Sequence, residues 1–313
     1  MNMRVMDCHC DTAFELWSGK KELAGSGLQI DLEKTKKLSG YAQFFALWTF
    51  PGLAERYGMP VPEIFNAVLE NFLAQLRRHG DIAVQARSPR EVEAAVSQGK
   101  TAAILSIEGP AGLDFDPGRL EELYAKGFRM TTLGWNERNP LAGSHVTGGG
   151  LTDRGREYAR RAQSLGYILD VSHLSERGFW ELCELAEKPI IASHSNSRRV
   201  WGVSRNLTDE QFRAICDLGG VAGVNLYTDF LGSEPVTLDT VCGHVLHFLE
   251  LGGGKHIALG GDLDGCESLP QGFEGPQDYP KLAQALLARG VEESVIEDMF
   301  WNNAMRVFQV CCM

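Results

Sequence analysis

Short apolar runs alternate along this chain with longer segments whose apolar residues recur every three to four positions. Runs of the first kind fit strands buried on both faces, and segments of the second kind fit helices with one apolar stripe. Eight runs qualify as strands: Arg4–Cys10, Ala42–Thr49, Ala102–Ile107, Arg129–Gly134, Tyr167–Val171, Pro189–Ser193, Gly220–Leu226 and His256–Gly261. Between them the spacing predicts helices, among them Pro62–His79, Asp153–Leu165, Glu176–Glu187, Asp209–Leu218 and Leu238–Leu251. Helix-start signals stand at Ser88-Pro89, Thr152-Asp153, Ser175-Glu176 and Thr208-Asp209. In each, a short hydroxyl side chain is placed to accept from the free N–H groups of the first turn. Ile82–Gln85 reads as an additional short strand.

Strands that alternate with helices predict repeated βα units around a parallel sheet. An open doubly wound sheet carries a Gly-rich phosphate loop after its first strand. Here that strand runs instead into Asp7-Cys8-His9-Cys10-Asp11-Thr12, which has no glycine. With no repeat and no linker to divide the chain, the reading is α/β: a single (β/α)8 TIM barrel, one domain over residues 1–313.

Charge narrows the partners. A formal net charge of −11 and no basic stripe exclude a nucleic-acid surface, which needs cations to displace phosphate counterions. No run approaches the ~18 apolar residues of a membrane span. Arg4, Asp7, His9 and Asp11 leave no room for the apolar region of a signal peptide, and Val310-Cys311-Cys312-Met313 lacks the cysteine that prenylation requires. The eight cysteines form no C-x-x-C pair and read as buried free thiols. The expectation is a cytoplasmic protein without a nucleic-acid or membrane partner.

In a barrel of this type, chemistry gathers at the C-terminal ends of the strands. The first predicted strand ends with His9 and Asp11, the third with Glu108, the fifth with His173, the sixth with His194 and the eighth with Asp262. Side chains two apart on a strand share a face, so His9 and Asp11 can converge on one ion, with Cys8 and Cys10 turned toward the helices. Imidazole and carboxylate are the ligands zinc takes where thiolates are absent. The set exceeds what one catalytic ion uses, and it suits two ions that share a carboxylate, with Glu108 as the bridge. His244 and His247 lie three apart on a predicted helix and read as packing residues.

The string Asp7-x-His9-x-Asp11-Thr12 resembles the opening of the membrane (renal) dipeptidase family, peptidase family M19. The resemblance continues through Ser106-Ile107-Glu108-Gly109, Leu169-Asp170-Val171-Ser172-His173, Ser193-His194-Ser195, Arg205-Asn206, Gly260-Gly261-Asp262-Leu263-Asp264-Gly265 and Asn302-Asn303-Ala304-Met305-Arg306-Val307-Phe308. It implies two Zn2+ per chain, one on His9 and Asp11, the other on His173 and His194, with Glu108 between them. It implies a metal-bridging hydroxide that attacks the peptide bond of a small dipeptide, L,D-dipeptides included. It implies that Arg205 binds the substrate carboxylate, and that Asp262 receives the amino group and passes a proton to the leaving nitrogen. A homodimer is the assembly it suggests.

One position departs from the family. Where many relatives carry a histidine after the fourth strand, this chain has Trp135, read as a wall of the substrate pocket. His145, ahead of Gly148-Gly149-Gly150, reads as a loop histidine without a role, with the missing histidine's role as the alternative. Other readings stay open on sequence alone: a binuclear deaminase or lactonase on the same barrel, or a metal- or peptide-binding barrel without turnover.

Overall fold

The computed structural model describes residues 3–312, so the domain reading at Met1, Asn2 and Met313, and the C-terminal reading at Met313, lie outside the described residues. Among the described residues nine strands form: β1 (Arg4–Cys10), β2 (Gly40–Trp48), β3 (Ala83–Gln85), β4 (Thr101–Glu108), β5 (Phe128–Thr132), β6 (Ile168–Asp170), β7 (Ile191–Ala192), β8 (Val221–Val224) and β9 (Ile257–Leu259). Eight of them close a parallel ring in the order β1-β2-β4-β5-β6-β7-β8-β9, with Asp7 of β1 beside Leu259 of β9. The ninth, β3, pairs with the start of β4 on the edge that β5 occupies further along. This is the expected (β/α)8 TIM barrel, with helices packed around it.

The helix-start signals act as their chemistry dictates. Ser88, Thr152, Ser175 and Thr208 each accept from a backbone N–H in the first turn, and Thr208 completes a capping box with Gln211. From β5 to β9 the strands are shorter than the apolar runs that encode them. Pro189–Ser193 yields only two paired residues, because Ser193 N–H turns from the ladder to donate to the Asp170 carboxylate at 3.0 Å.

Two apolar cores result. The larger lies between the barrel and its helices. The smaller fills the barrel, drawing residues from every ring strand, among them Met6, Phe44, Ile104, Met130, Ile168, Ile191, Val221 and Ala258. It is completed by Trp301, in the helical turn Asp298–Asn302, and by Val307, Phe308 and their neighbours on the C-terminal helix that follows, Asn303–Cys311. That helix closes the end of the barrel where the strands begin: Asn303 donates to Ile257 O at 2.9 Å and Arg306 to Gly219 O at 2.6 Å.

One expectation about side-chain direction is corrected. Cys10 packs in the outer core as foreseen, but Cys8 packs inside the barrel. The cause is a bulge in β1: Asp7 stands opposite Gln43 and Cys10 opposite Phe45, so three steps of β1 match two of β2. An inserted residue of this kind resets strand alternation. All eight cysteines are free thiols. Among the described residues, no helix is long and apolar enough to cross a membrane.

Candidate metal centre

The six strand-end residues meet above the mouth of the barrel. Glu108 stands at their centre and faces both groups of its neighbours. Its Oε2 lies 3.3 Å from His9 Nε2. Its Oε1 lies 2.9 Å from His173 Nε2 and 3.7 Å from His194 Nε2. Asp11 and Asp262 approach His9 Nε2 at 3.5 and 3.8 Å. The rings of His9 and His194 stack with centroids 3.8 Å apart. His173 and Asp262 are held at φ 68° and 57°, a left-handed backbone that costs non-glycine residues about 1–3 kcal/mol each and persists only where the surroundings enforce it.

The protein alone leaves this cluster unsatisfied. His9 Nε2 and Asp11 Oδ1 are buried without a hydrogen-bond partner, and a buried orphan costs about 1–3 kcal/mol. His173 Nε2 and His194 Nε2 face each other at 3.0 Å, two nitrogens competing for at most one proton. Burial raises the Glu108 carboxyl to about 8 against the pull of His9, with Asp11 and Asp262 adding to the rise. Burial drives His194 well below its usual value, helped by His9 and Arg205. Divalent cations answer each of these features: they take the free lone pairs, neutralise the carboxylates and separate the imidazoles. Two compact triads, His9–Glu108–His194 and His9–Asp11–Asp262, have ligand atoms within 4.8 Å of one another. The residues therefore fit a metal centre.

Two buried carboxylates that the sequence reading gave no role support the cluster from behind. Asp7 accepts from His9 N at 3.0 Å, from Gly261 N at 3.1 Å and from the Tyr279 hydroxyl, and so pins the β1 bulge to the strand that carries Asp262. Asp170 accepts from Ser193 N–H and from its hydroxyl, and Ser193 Oγ stands 2.7 Å from His194 Nδ1. With the serine proton committed to Asp170, His194 donates its Nδ1 proton to Ser193 Oγ and keeps a lone pair at Nε2. The available signal was position: each carboxylate precedes a site histidine by two or three residues.

A cavity of about 620 Å³ opens over the cluster, within the range of small-molecule sites. Phe14, Trp48 and Trp135 make one wall, Tyr227 and Phe230 another, and Asp262 lines it directly. Trp135 packs against Trp48 and Phe50 with centroids 5.0 and 5.1 Å away. Arg205 sits behind the second wall, its Cζ 5.9 Å from the Phe230 ring. Its Nη1 donates to Ser195 Oγ at 2.7 Å, while Nε and Nη2 are buried without partners. Asp262 accepts from Asn225 Nδ2 at 3.0 Å. Asp264 is committed elsewhere, accepting from Thr12 Oγ1 and Gln29 N, both at 2.7 Å. His247 finds an acidic partner absent from its sequence neighbourhood, Asp209 at 2.8 Å, and buried His244 accepts from Ser197 N at 3.1 Å.

Comparison with known proteins gives the family and the fold. The sequence pattern of the membrane dipeptidase family, peptidase family M19, matches residues 1–311. An uncharacterized protein from the pqqA 5′ region of Klebsiella pneumoniae is 35% identical over 221 residues, 66% of this chain and 81% of that protein. An uncharacterized dipeptidase of Schizosaccharomyces pombe is 33% identical over 223 residues, 68% of this chain and 54% of its own length. Among solved structures, the metallopeptidase dipeptidase AC superposes with TM-score 0.91 at 26% identity, covering 100% of this chain and 99% of its own. A Rhodobacter sphaeroides metallopeptidase bound to a phosphinate mimic of L-Ala-D-Ala gives TM-score 0.90 at 24% identity, covering 99% and 100%.

Proposed function

Since the chain belongs to the membrane dipeptidase family, peptidase family M19, and is on that ground a metallo-dipeptidase, we propose that it is a zinc enzyme that holds two ions and cleaves small dipeptides, L,D-dipeptides among them. The described residues act in this reading as one hydrolase domain. The observation that carries it is Glu108, whose two oxygens face two separate sets of ligands. His9 and Asp11 would hold one ion and His173 and His194 the other, with Glu108 shared. Imidazole and carboxylate donors without thiolate suit zinc. When bound, such ions supply Lewis acidity and lower the pKa of water toward neutrality.

The chain's own residues do the rest. Arg205 receives the substrate's C-terminal carboxylate, through N–H groups that lack any protein acceptor. Asp262, lining the cavity beside His9, receives the free amino group and carries a proton to the departing nitrogen. A cation at one end and a carboxylate at the other select a substrate with both termini free, which limits its length to a dipeptide. Trp48 and Trp135 exclude water from one side of the scissile bond. Free cysteines throughout fit work in the reducing cytoplasm.

The test measures metal per chain together with hydrolysis of a dipeptide panel that includes L-Ala-D-Ala, with Glu108→Ala as control. About two zinc per chain, and cleavage lost in the variant, is the expected result. Two zinc without cleavage of any dipeptide would redirect the search to other amide or ester substrates. Protein that holds no metal after zinc is restored would remove the proposal.

A further inference from the structure

Behind His173, on the side away from Glu108, stands a side chain that no metal-binding motif marks. Asn136 follows β5 and lines the cavity. Its Oδ1 lies 2.8 Å from His173 Nδ1 and 2.9 Å from His145 Nε2. His145 continues outward, its Nδ1 2.9 Å from Ser204 Oγ, and Ser204 adjoins Arg205. The backbone ties the same parts together: His145 N donates to His173 O at 2.9 Å, and Ser144 Oγ donates to Asn136 O at 2.6 Å.

We propose that Asn136 is a positioning residue whose side-chain oxygen, shared by His173 and His145, sets which nitrogen of His173 faces the metal centre and ties that ligand to the segment bearing Arg205. The inference rests on the metal reading given above. The protons can be placed consistently in one way. An amide oxygen only accepts, so both imidazoles must donate to it, His173 from Nδ1 and His145 from Nε2. That leaves His173 Nε2 with its lone pair toward Glu108, the state a metal ligand requires. It also leaves His145 Nδ1 as an acceptor for the Ser204 hydroxyl. With the amide reversed, an N–H would face both imidazoles and force the His173 proton onto Nε2, the ligating atom. His145 is thus engaged at both nitrogens and has none to offer a substrate, contrary to its alternative reading as a substitute for the missing family histidine.

The acceptor is what matters, so the experiment varies it. Asn136→Leu removes the oxygen at similar size, and Asn136→Asp keeps it. Wild-type protein and both variants, loaded with zinc, are titrated with a chelator. In the leucine variant one of the two ions should leave at roughly 10- to 100-fold lower chelator concentration while the other is retained. The aspartate variant should hold both within about threefold of wild type. His145→Phe should leave metal retention intact and raise KM for a dipeptide about fivefold, the equivalent of one hydrogen bond to the Arg205 segment. Nitrogen NMR of metal-stripped wild type should find the His173 proton on Nδ1, a readout that needs no variant to fold. A leucine variant that retains both ions like wild type overturns the proposal, as does an aspartate variant that fails equally. A His173 proton on Nε2, or an unchanged KM in His145→Phe, does so too. Wild-type protein that binds no metal removes the underlying reading, a result distinct from any of these.

Discussion

Arg205→Met separates substrate recognition from stability, because the two should move in opposite directions. The residue is only 4% exposed, and two of its three guanidinium nitrogens have no acceptor. Burial pulls its pKa below the ordinary value even though Asp262, Asp170 and Glu108 pull the other way. Desolvation therefore outweighs attraction in the free protein. Methionine keeps most of the volume and abolishes the orphaned donors, each of which costs about 1–3 kcal/mol. The variant should melt higher, by a few degrees at roughly 2–4 °C per kcal/mol. A substrate carboxylate placed between Nε and Nη2 would lose its partner, and breaking a buried pair costs about 3–5 kcal/mol. That corresponds to a loss of roughly 150- to 5,000-fold in kcat/KM. The assay compares one dipeptide with its C-terminal amide, in wild type and variant, alongside calorimetry. Wild type should prefer the free acid by a margin of that size, and the variant should show no preference. A variant that still discriminates by the wild-type margin, or that melts lower, refutes the assignment.

Ser193→Ala should weaken metal retention by about 10- to 100-fold in chelator competition, because His194 Nδ1 loses its acceptor and Asp170 a donor; unchanged retention would show that the relay does nothing. Gly260→Ala should destabilise the protein by about 3 kcal/mol in urea unfolding, since a Cβ there would stand 1.7 Å from the Ser193 carbonyl oxygen; a stability equal to wild type would show that the barrel interior can give way. Phe308→Ala should cost about 3–5 kcal/mol, while kcat at low temperature stays near wild type, because the ring packs at the end of the barrel opposite the metal centre. A fall in kcat with stability unchanged would contradict that division of labour.

The barrel was legible because its strands are buried on both faces and stand as plain apolar runs between capped helices. His9, Asp11, Glu108, His173, His194 and Asp262 were legible because strand ends are the one place where chemistry must face the cavity. The residues that hold them in position left weaker traces. Asp7 and Asp170 are ordinary polar letters until Tyr279 and Ser193, distant or on another strand, arrive beside them. Asn136 and His145 meet only through loop geometry that periodicity does not encode. The Cys8 error has a single origin, the bulge in β1. Alternation counts residues evenly, and no residue type at that point announces an extra one.

The helix that closes the lower end of the barrel also sets an order of events during synthesis. Domains tend to fold as they leave the ribosome, N-terminal parts first. Here the lower end of the ring stays uncovered until Val307 and Phe308 have been translated. His9 at one extreme and Asp262 at the other must wait nearly as long to meet. The nascent chain therefore passes through most of its length as βα units whose lower end is uncovered, with its metal-binding side chains apart. Ribosome-bound chains halted before residue 298 should expose that inner apolar surface to chaperones, and release should bury it in a single late step.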